Sequence, residues 1–177
     1  MKKWMFVFTA GTLIFAACNN EKKDATGVAE APKKTVALSI PASYSSSFEM
    51  GNPDYTAVIV QGSWKDWQDN KLDNMKNWMA DTIVAFNSND IMVKGLDSMM
   101  AYWKRDRAGY SSVIDSIDAA TAVYSADKKE NWVLVWAREI GTKLDGTKDT
   151  SAIMETWRFN KDGKADFLLQ YNRQKRK

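Results

Sequence analysis

Alternation of side chains with the period of a β-strand, in the second half of the chain, is the strongest constraint on its fold. The segments predicted as strands are residues 112–124, 132–140, 153–159 and 165–171. In residues 132–140 and 153–159, two sets of side chains alternate with the period of two of a strand, and residues 165–171 complete the set. Asp145-Gly146 and Asp162-Gly163 are dipeptides typical of tight hairpin turns. The sequence therefore predicts an antiparallel sheet built from successive hairpins.

Helix signals precede these strands. Asn52 is a good helix cap, Pro53 suits the first helical position, and Asp54 complements the helix dipole. Apolar residues at helical spacing predict helices over residues 55–69, 72–79 and 96–110. Helices followed by an antiparallel meander indicate an α+β domain, which we place at residues 51–177. About 125 residues are enough for one hydrophobic core and too few for two.

The N-terminus has the features of an export signal. Two lysines precede an apolar run over residues 4–17, which is short for a bilayer span but has the length of a signal-peptide core. Phe15-Ala16-Ala17 then leads to Cys18, the only cysteine, and this resembles the lipobox of bacterial lipoproteins. The resemblance implies a lipoprotein signal peptide over residues 1–18 and a lipid anchor at Cys18. The protein would then be held at a membrane of the cell envelope, facing the periplasm or the cell surface. An ordinary cleaved signal and a buried N-terminal helix are the alternatives.

Residues 19–50 are predicted to be a flexible tether between the anchor and the domain. The stretch 19–34 is polar without an apolar period, and residues 43–47 form a serine cluster. Such a segment cannot bury enough apolar area to offset the entropy of ordering it. Val36, Leu38 and Ile40 alternate, so an edge strand is the alternative at that point.

The charge distribution argues against a nucleic-acid partner. The chain has 25 basic and 22 acidic residues. Several of the basic ones lie in the signal peptide or in the last five positions, so the body of the domain is slightly acidic. Nucleic-acid binding needs a clustered basic face that neutralises phosphates. We therefore expect no nucleic-acid partner.

The order of elements and several short motifs resemble a known superfamily. The motifs are Trp64 and Trp67 in the first helix, residues 78–84, residues 94–99 opening the third helix, and residues 155–159 running into Asp162-Gly163-Lys164. Over residues 52–172 this pattern is similar to the nuclear-transport-factor-2-like superfamily, also called SnoaL-like or cystatin-like α+β cones. The resemblance implies a curved antiparallel sheet wrapped around N-terminal helices, with a central pocket. Members include ketosteroid isomerase, polyketide cyclases and many non-enzymatic binding or assembly domains.

Absent residue types limit the chemistry of the domain. The chain has no histidine, and lipidation would use its one cysteine, so Ser-His and Cys-His nucleophile systems are excluded. The usual zinc ligands are missing and there is no glycine-rich phosphate loop, so neither a metal nor a cofactor is expected. Many SnoaL-like enzymes carry a histidine after the Asp-Gly-Lys turn, whereas residues 165–169 contain none.

Carboxylates remain as candidates for acid–base work, and Asp81 is the foremost. It opens a predicted strand where related folds place a residue at the pocket mouth, and burial beside Trp78 would raise its pKa. The alternative is that Asp81 caps a turn. Glu155 either points into the cavity or pairs across strands with Arg138 or Arg158, and pairing is the interpretation that we favour.

Three other charged residues are expected to be solvated. Asp115 shares a strand face with Val113 and Ile117, but exposure to solvent is expected for its carboxylate. Asp106 and Arg107 are expected on the solvated face of the third helix.

Tryptophans are the candidates for a pocket lining. The chain has eight of them, seven beyond the signal peptide, which is more than one helix face can hold. Core packing is the ordinary explanation for each, but large rings with a few polar groups also form ligand sites. We expect a pocket for a small apolar ligand, lined by Trp64, Trp103, Trp136 and Trp157, with Asp81 or Glu155 as its polar group.

Three functions remain open. The leading hypothesis is a non-catalytic ligand-binding or accessory domain on an envelope-anchored lipoprotein. The rival is an isomerase, cyclase or dehydratase with Asp81 as its base and Tyr110 or Glu155 as hydrogen-bond partner. The third is a protein-interaction module that forms a homodimer through apolar residues on the outer face of the sheet, namely Val133, Val135, Ala137, Met154 and Leu168.

Cys18→Ser should release the protein from membranes or leave it as an unprocessed precursor. A signal core of this length does not anchor a protein once it is cleaved, whereas multiple acyl chains do. Cell fractionation followed by immunoblotting reports both location and size, with Asn19→Ser as a neighbouring control that should remain anchored. A Cys18→Ser protein that is fully processed and membrane-bound would contradict the lipoprotein interpretation.

Overall fold

The computed structural model describes residues 38–173. The predicted signal peptide, Cys18 and most of the predicted tether lie outside the described residues, as do the last four residues. Over residues 38–173, no helix has both the length and the apolar character needed to cross a bilayer.

The first helical segment begins where its capping residues predict. Asn52 Oδ1 accepts a hydrogen bond from Asp54 N at 2.9 Å, and α1 then covers Pro53–Ile59. The segment continues as a π-helical stretch, Val60–Lys65, and as α2, Asp66–Gln68. The sequence predicts a helix here but not its π-helical turns, which are rare and occur frequently at functional sites.

Gly62 lets the π-helical stretch pack directly on an indole. A Cβ atom at this position would lie 2.5 Å from Trp78 Nε1. Trp78 in turn contacts Trp157 edge-on, with 5.4 Å between ring centroids and 69° between ring planes. The glycine therefore determines how closely the helical segment approaches the aromatic core.

Two further helices differ in detail from their predictions. The second predicted helix is a 3₁₀ helix over Leu72–Asn77. Helix α3 covers Leu96–Arg107 and follows Gly95, whose φ of 86° is a left-handed conformation that favours glycine. The prediction extends α3 to Tyr110, but that residue begins a strand instead.

Seven strands form one curved, unclosed sheet in the order β1-β4-β5-β6-β7-β2-β3. The strands are β1 Phe48–Met50, β2 Met79–Phe86, β3 Met92–Lys94, β4 Tyr110–Ser125, β5 Glu130–Lys143, β6 Lys148–Phe159 and β7 Ala165–Arg173. Neighbours are antiparallel except β2 and β7, which run parallel. Gly146 and Gly163 have positive φ in the two predicted turns. The α+β class is confirmed, with one parallel pair that the prediction does not include.

The inner face of the sheet, which the helices cover, holds the hydrophobic core. Fully or almost fully buried side chains from α1, α3 and the strands meet there: Ile59, Met99, Val133, Val135, Ala137, Trp157, Phe159 and Leu168. Burial of this apolar area is the main favourable contribution to folding.

The prediction reverses the two faces of β5. Most residues predicted for an outer dimerisation face belong to the core: Val133, Val135, Ala137 and Leu168. Trp136, predicted to line the pocket, is 38% exposed on the outer face, where it pairs across strands with Met154. Alternation identifies two faces but does not show which one other elements cover. The large rings of Trp132 and Trp136 made the outer face resemble a core.

The predicted tether is too long at its C-terminal end, because residues 44–50 belong to the folded domain. Strand β1 pairs with β4. The hydroxyls of Ser45 and Ser47 donate to Asp127 Oδ1 at 2.6 and 2.7 Å. Composition alone cannot reveal this, since the serines are ordered by a carboxylate about eighty positions away. Leu38 and Ile40 are exposed and lie in no strand, so the edge-strand alternative gains no support from the described residues.

Two deletions should show where the tether ends and the folded domain begins. Removing residues 19–37 should leave the thermal midpoint of the lipid-free protein nearly unchanged. Removing residues 19–50 should lower it by more than about 5 °C, on the order of 1 kcal/mol for a domain of this size, because β1 and the contacts to Asp127 are lost. Circular dichroism melts compare the two proteins. Equal midpoints would show that residues 44–50 contribute nothing to stability.

Candidate functional site

A cavity of about 240 Å³ lies between the helices and the inner face of the sheet. It is smaller than the roughly 300–1,000 Å³ of sites for drug-sized ligands. The cavity therefore suits a small molecule.

Aromatic and polar side chains share the lining. The aromatic ones are Trp64, Trp67, Tyr102, Trp103 and Tyr110. The carboxylates are Asp106, Glu139, Asp149 and Glu155. Amides and hydroxyls complete most of the lining, from Asn87, Asn89, Gln170, Asn172, Ser63, Ser88 and Ser151.

Glu155 is the most buried of the lining carboxylates, at 3% exposure. Its Oε2 accepts a hydrogen bond from Trp157 Nε1 at 2.8 Å, and its Oε1 accepts one from Gln170 Nε2 at 2.9 Å. Burial, helped by the charge of Glu139, raises the pKa of Glu155 to about 7 in spite of these donors. A carboxyl with that pKa can take up and release a proton at neutral pH.

The buried indole of Trp64 completes the surroundings of Glu155. Its Nε1 has no hydrogen-bond partner, although it lies close enough to Glu155 to lower the pKa of that carboxyl. A buried donor without a partner costs free energy.

Glu139 forms a second indole–carboxylate pair on the neighbouring strand. Its Oε2 accepts a hydrogen bond from Trp67 Nε1 at 2.7 Å. Burial raises the pKa of Glu139, and the charges of Asp106 and Asp149 raise it further, while Trp67 and Arg107 lower it. Two glutamates thus face the cavity, each oriented by an indole.

Asp115 lies directly across the ladder from Glu139. The residue is half-buried, and both its carboxylate oxygens are buried without a hydrogen-bond partner. Burial, together with the charges of Glu139 and Glu155, raises its pKa to about 8, so its protonated form predominates at pH 7. The predicted exposure of Asp115 is wrong, because the strand face that it shares with Val113 and Ile117 is the inner one.

Arg107 is a buried cation that bonds to backbone instead of carboxylates. At 5% exposure, its guanidinium donates to the carbonyl oxygens of Trp67, Gln68 and Tyr110 at 2.9, 3.1 and 3.0 Å. It therefore ties the end of the first helical segment to the start of β4. The predicted solvated position is wrong for Arg107. Asp106 is exposed at the edge of the cavity, where partial burial raises its pKa.

Gly141 makes room for Tyr110 in the lining. A Cβ atom at Gly141 would lie 2.5 Å from a ring carbon of Tyr110. Burial raises the pKa of the Tyr110 phenol, as do the charges of Asp106, Glu139 and Asp149. The phenol therefore stays neutral and can donate a hydrogen bond.

Amide side chains hold the polar part of the lining in place. Gln170 accepts a hydrogen bond from Ser88 N at 3.3 Å while it donates to Glu155. Asn87 Oδ1 accepts one from Trp103 Nε1 at 3.3 Å. These bonds link the end of β2 to α3 and to β7, and they orient side chains before any ligand enters.

The acidic side chains do not form a metal site. Within residues 38–173, no three histidine, cysteine, aspartate or glutamate side chains are placed to hold a metal ion together. The lining also contains no lysine or arginine. The cavity is therefore acidic without a group of ligands that converges on one point.

Four of the predicted pocket residues lie at or beside the cavity. Trp64, Trp103 and Glu155 line it. Trp157 is fully buried and acts on the cavity through its bond to Glu155. Trp136, on the outer face, does not line it.

Asp81 lies outside the cavity, so its predicted place as a pocket base is wrong. It is exposed on β2 and borders a shallow depression at the start of α3, with Gly95 and Asp97. The β2–β7 ladder shifts register between Met79 and Val84. The irregularity interrupts the alternation along β2, so Asp81 is exposed although Met79 and Ile83, two positions away on either side, are buried.

The favoured pairing of Glu155 with an arginine is also wrong. Arg138 pairs with Asp118 at 2.7 Å, and Arg158 pairs with Asp166 at 2.9 Å. The geometry agrees with the other interpretation, in which Glu155 points into the cavity.

Sequence prediction missed Trp67, Glu139 and Asp149 as lining residues. Glu139 follows the buried Val135 and Ala137 at intervals of two positions, so its side chain lies on the same face of β5. This spacing could have identified Glu139 once the inner face was known. Trp67 follows Trp64 by three positions along a helical segment. Asp149 had no comparable signal.

Comparison with solved structures identified proteins of similar fold. An epoxide hydrolase from Mycobacterium tuberculosis, described as LEH-like, is 14% identical with a TM-score of 0.55, over 68% of this chain and 84% of that one. A Δ5-3-ketosteroid isomerase from Mycobacterium sp. is 18% identical with a TM-score of 0.53, over 66% and 92%. A SnoaL-like protein from Burkholderia thailandensis is 13% identical with a TM-score of 0.53, over 71% and 99%. No protein-family model and no curated protein matched the chain.

The thermal midpoint should fall as the pH rises from about 5 to 8. Folding raises the pKa of Glu155 from 4.5 to about 7 and that of Asp115 from 3.8 to about 8. Between those values the folded state binds more protons than the unfolded state, so stability decreases with rising pH. At about 1.4 kcal/mol per pKa unit, Glu155 contributes on the order of 3 kcal/mol across this range.

Glu155→Gln should make that fall shallower, because the amide does not ionise and its oxygen can still accept from Trp157. Asp81→Asn removes an exposed carboxyl and is the matched control. Thermal melts at intervals of one pH unit measure the slope. A Glu155→Gln protein whose midpoint falls as steeply as that of the unsubstituted protein would contradict the buried titration of Glu155.

Proposed function

Because the described domain has the SnoaL-like fold of the nuclear-transport-factor-2-like superfamily, we propose that it is the ligand-binding part of an envelope-anchored lipoprotein. The N-terminal sequence, with its lipobox-like ending at Cys18, supports the anchor. The cavity between helices and sheet supports the binding role. On this proposal the domain holds a small ligand and does not change it chemically.

The pre-organised lining of the cavity is the observation that carries the proposal. The rings of Trp67 and Trp103 meet edge to face, with 6.2 Å between centroids and 69° between planes. Their indole N–H groups already bond to Glu139 and Asn87. A site whose side chains are held in place before binding loses less conformational entropy when a ligand enters.

The lining favours an amphipathic ligand over the apolar one that the sequence predicts. Indole and phenol rings offer apolar surface, while carboxylates and amides require hydrogen-bond partners when water is displaced. A purely apolar ligand would leave those polar groups unpaired. The ligand therefore combines apolar surface with hydrogen-bond donors.

Acid–base catalysis is a second candidate function, and Glu155 is the observation that favours it. Its pKa of about 7 suits a general base, which is the role that the sequence predicts for Asp81. Glu155 could take a proton from a carbon beside a substrate carbonyl and return it to another carbon, with the neutral Tyr110 phenol donating a hydrogen bond to the carbonyl oxygen. Two of the similar structures are named as an isomerase and an epoxide hydrolase.

Two adjacent residues of β6 provide a test of the binding site. Ile153 lines the cavity and Met154 lies on the outer face. Ile153→Phe should fill part of the cavity and weaken binding at least about tenfold, a loss of about 1.4 kcal/mol, whereas Met154→Phe should not. Tryptophan fluorescence titrations of the full-length protein with benzyl alcohol, benzylamine and benzoate measure affinity across the three charge states.

The outcomes separate the candidates. No response to any of the three probes, or an equal loss in both variants, would refute binding in this cavity. For catalysis, proton NMR of cyclohexanone in D₂O reports exchange of the hydrogens beside its carbonyl. Exchange that the protein accelerates and Glu155→Gln abolishes would replace the non-catalytic proposal with the second candidate.

A further inference from the structure

The charged side chains that line the cavity are all acidic. Four carboxylates line it, and no lysine or arginine is among the lining residues. Arg107 is buried close to this region, but its guanidinium is engaged with three backbone carbonyls. The negative charge of the lining is therefore offset only in part, by the charge of the nearby Arg107.

This imbalance has an energetic consequence. The charge of Glu139 opposes ionisation of Glu155, and the charges of Asp106 and Asp149 oppose ionisation of Glu139. Buried carboxylates in this situation reach a lower free energy either by taking up protons or by gaining a nearby cation. A positively charged ligand would supply the nearby cation, because no lysine or arginine lines the cavity.

Aromatic rings surround the same space. Trp64, Trp67 and Trp103 line it from the helical side, together with the phenol of Tyr102. The face of an aromatic ring attracts cations, most strongly for tryptophan, and the attraction grows when water is excluded. Rings and carboxylates together favour a cation that also carries apolar groups.

A bare metal ion fits this lining poorly. The described acidic side chains do not converge in a group of three, and the cavity holds several water volumes instead of one ion. An organic cation spreads its charge over a larger volume and requires no fixed set of ligands.

We infer that the cavity binds a small organic cation, a protonated amine or a quaternary ammonium compound that carries a hydroxyl group. The inference rests on the proposed binding function and specifies the chemical class of its ligand. The charged group lies among the carboxylates and ring faces, and its carbon substituents contact the indoles.

Binding of such a cation is coupled to loss of protons. The titratable and charged groups around Glu155 are Glu139 on β5, Asp115 and Tyr110 on β4, Asp106 and Arg107 on α3, and Asp149 on β6. All except Arg107 are acidic, so a cation favours their ionised forms. Affinity for the cation therefore rises with pH through the range in which Glu155 and Asp115 titrate, and binding releases protons.

Three probes of the same shape and different charge test the inference. They are choline, its neutral carbon isostere 3,3-dimethyl-1-butanol, and the anion 3,3-dimethylbutanoate. Isothermal titration calorimetry uses the full-length protein in a non-ionic detergent at pH 6 and pH 8. At pH 8 choline should bind at least about tenfold more tightly than the neutral isostere, and that ratio should shrink at pH 6.

Two substitutions assign the effect to the cavity. Glu139→Gln and Glu155→Gln should each weaken choline binding about tenfold, and at least about fivefold more than they weaken binding of 3,3-dimethyl-1-butanol. Asp81→Asn, an exposed carboxyl outside the cavity, should change neither affinity. Using two glutamate variants keeps the test decisive if one of them folds poorly.

The results distinguish this inference from the proposed function. Equal binding of choline and its neutral isostere, or tighter binding of the anion, would overturn the organic-cation inference and leave ligand binding intact. If choline does not bind at either pH, the inference also fails, and the probes of the β6 test decide independently whether the cavity binds ligands.

Discussion

Two glutamates, Glu155 buried and Glu139 half-buried, are each held by an indole N–H, and the interior of this domain depends on this constraint. Glu155 bonds to Trp157 within one strand, and Glu139 bonds to Trp67 from a helical segment 72 positions earlier. Burying a carboxylate is costly unless donors satisfy it. The helical segment must therefore lie where Trp67 reaches Glu139, and the bonds of Arg107 to the backbone at Trp67 and Gln68 hold it there.

The sheet supplies the second half of this arrangement. Register places Glu155 opposite Gln170, so the amide that bonds to it comes from the neighbouring strand. The missing side chain of Gly141 leaves room for the ring of Tyr110. Acidic groups crowded at one end of the inner face destabilise the fold at neutral pH, whereas the apolar core around Trp157 and Phe159 stabilises it. Sites that act on ligands commonly show such local conflict with the stability of the fold.

The segment that enters the domain has its own attachment. Asp127 accepts hydrogen bonds from Ser45, Ser47 and Ser125, and these hydroxyls hold the pKa of Asp127 well below its usual range. The carboxylate therefore stays ionised in mildly acidic surroundings. On the lipoprotein proposal, a pull from the membrane anchor would reach the domain through this attachment and through β1.

Much of the fold could be predicted from the sequence, because the signals are local. The cap at Asn52, the turns at Gly146 and Gly163, and the alternation along β5 and β6 depend on backbone sterics within a few residues. They were enough to predict the α+β class, whereas the curved sheet around helices was implied by the resemblance to the superfamily. The π-helical turns at Val60–Lys65 lacked a local signal, because they depend on the packing of Gly62 against Trp78.

The candidate site was predictable only in part, for a physical reason. The sequence alone determined that the chemistry would rest on carboxylates and tryptophans, since histidine is absent and the one cysteine lies at the predicted lipidation position. It could not determine which face of β5 the helices cover, so Trp136 was assigned inward and Val135 outward. Nor could it distinguish Asp81 from Glu155 as the buried carboxylate, because each of them alternates along its strand with large apolar residues two positions away. Only the tertiary structure decided that Glu155 is buried at the cavity and Asp81 is exposed, because burial depends on contacts between residues far apart in the chain.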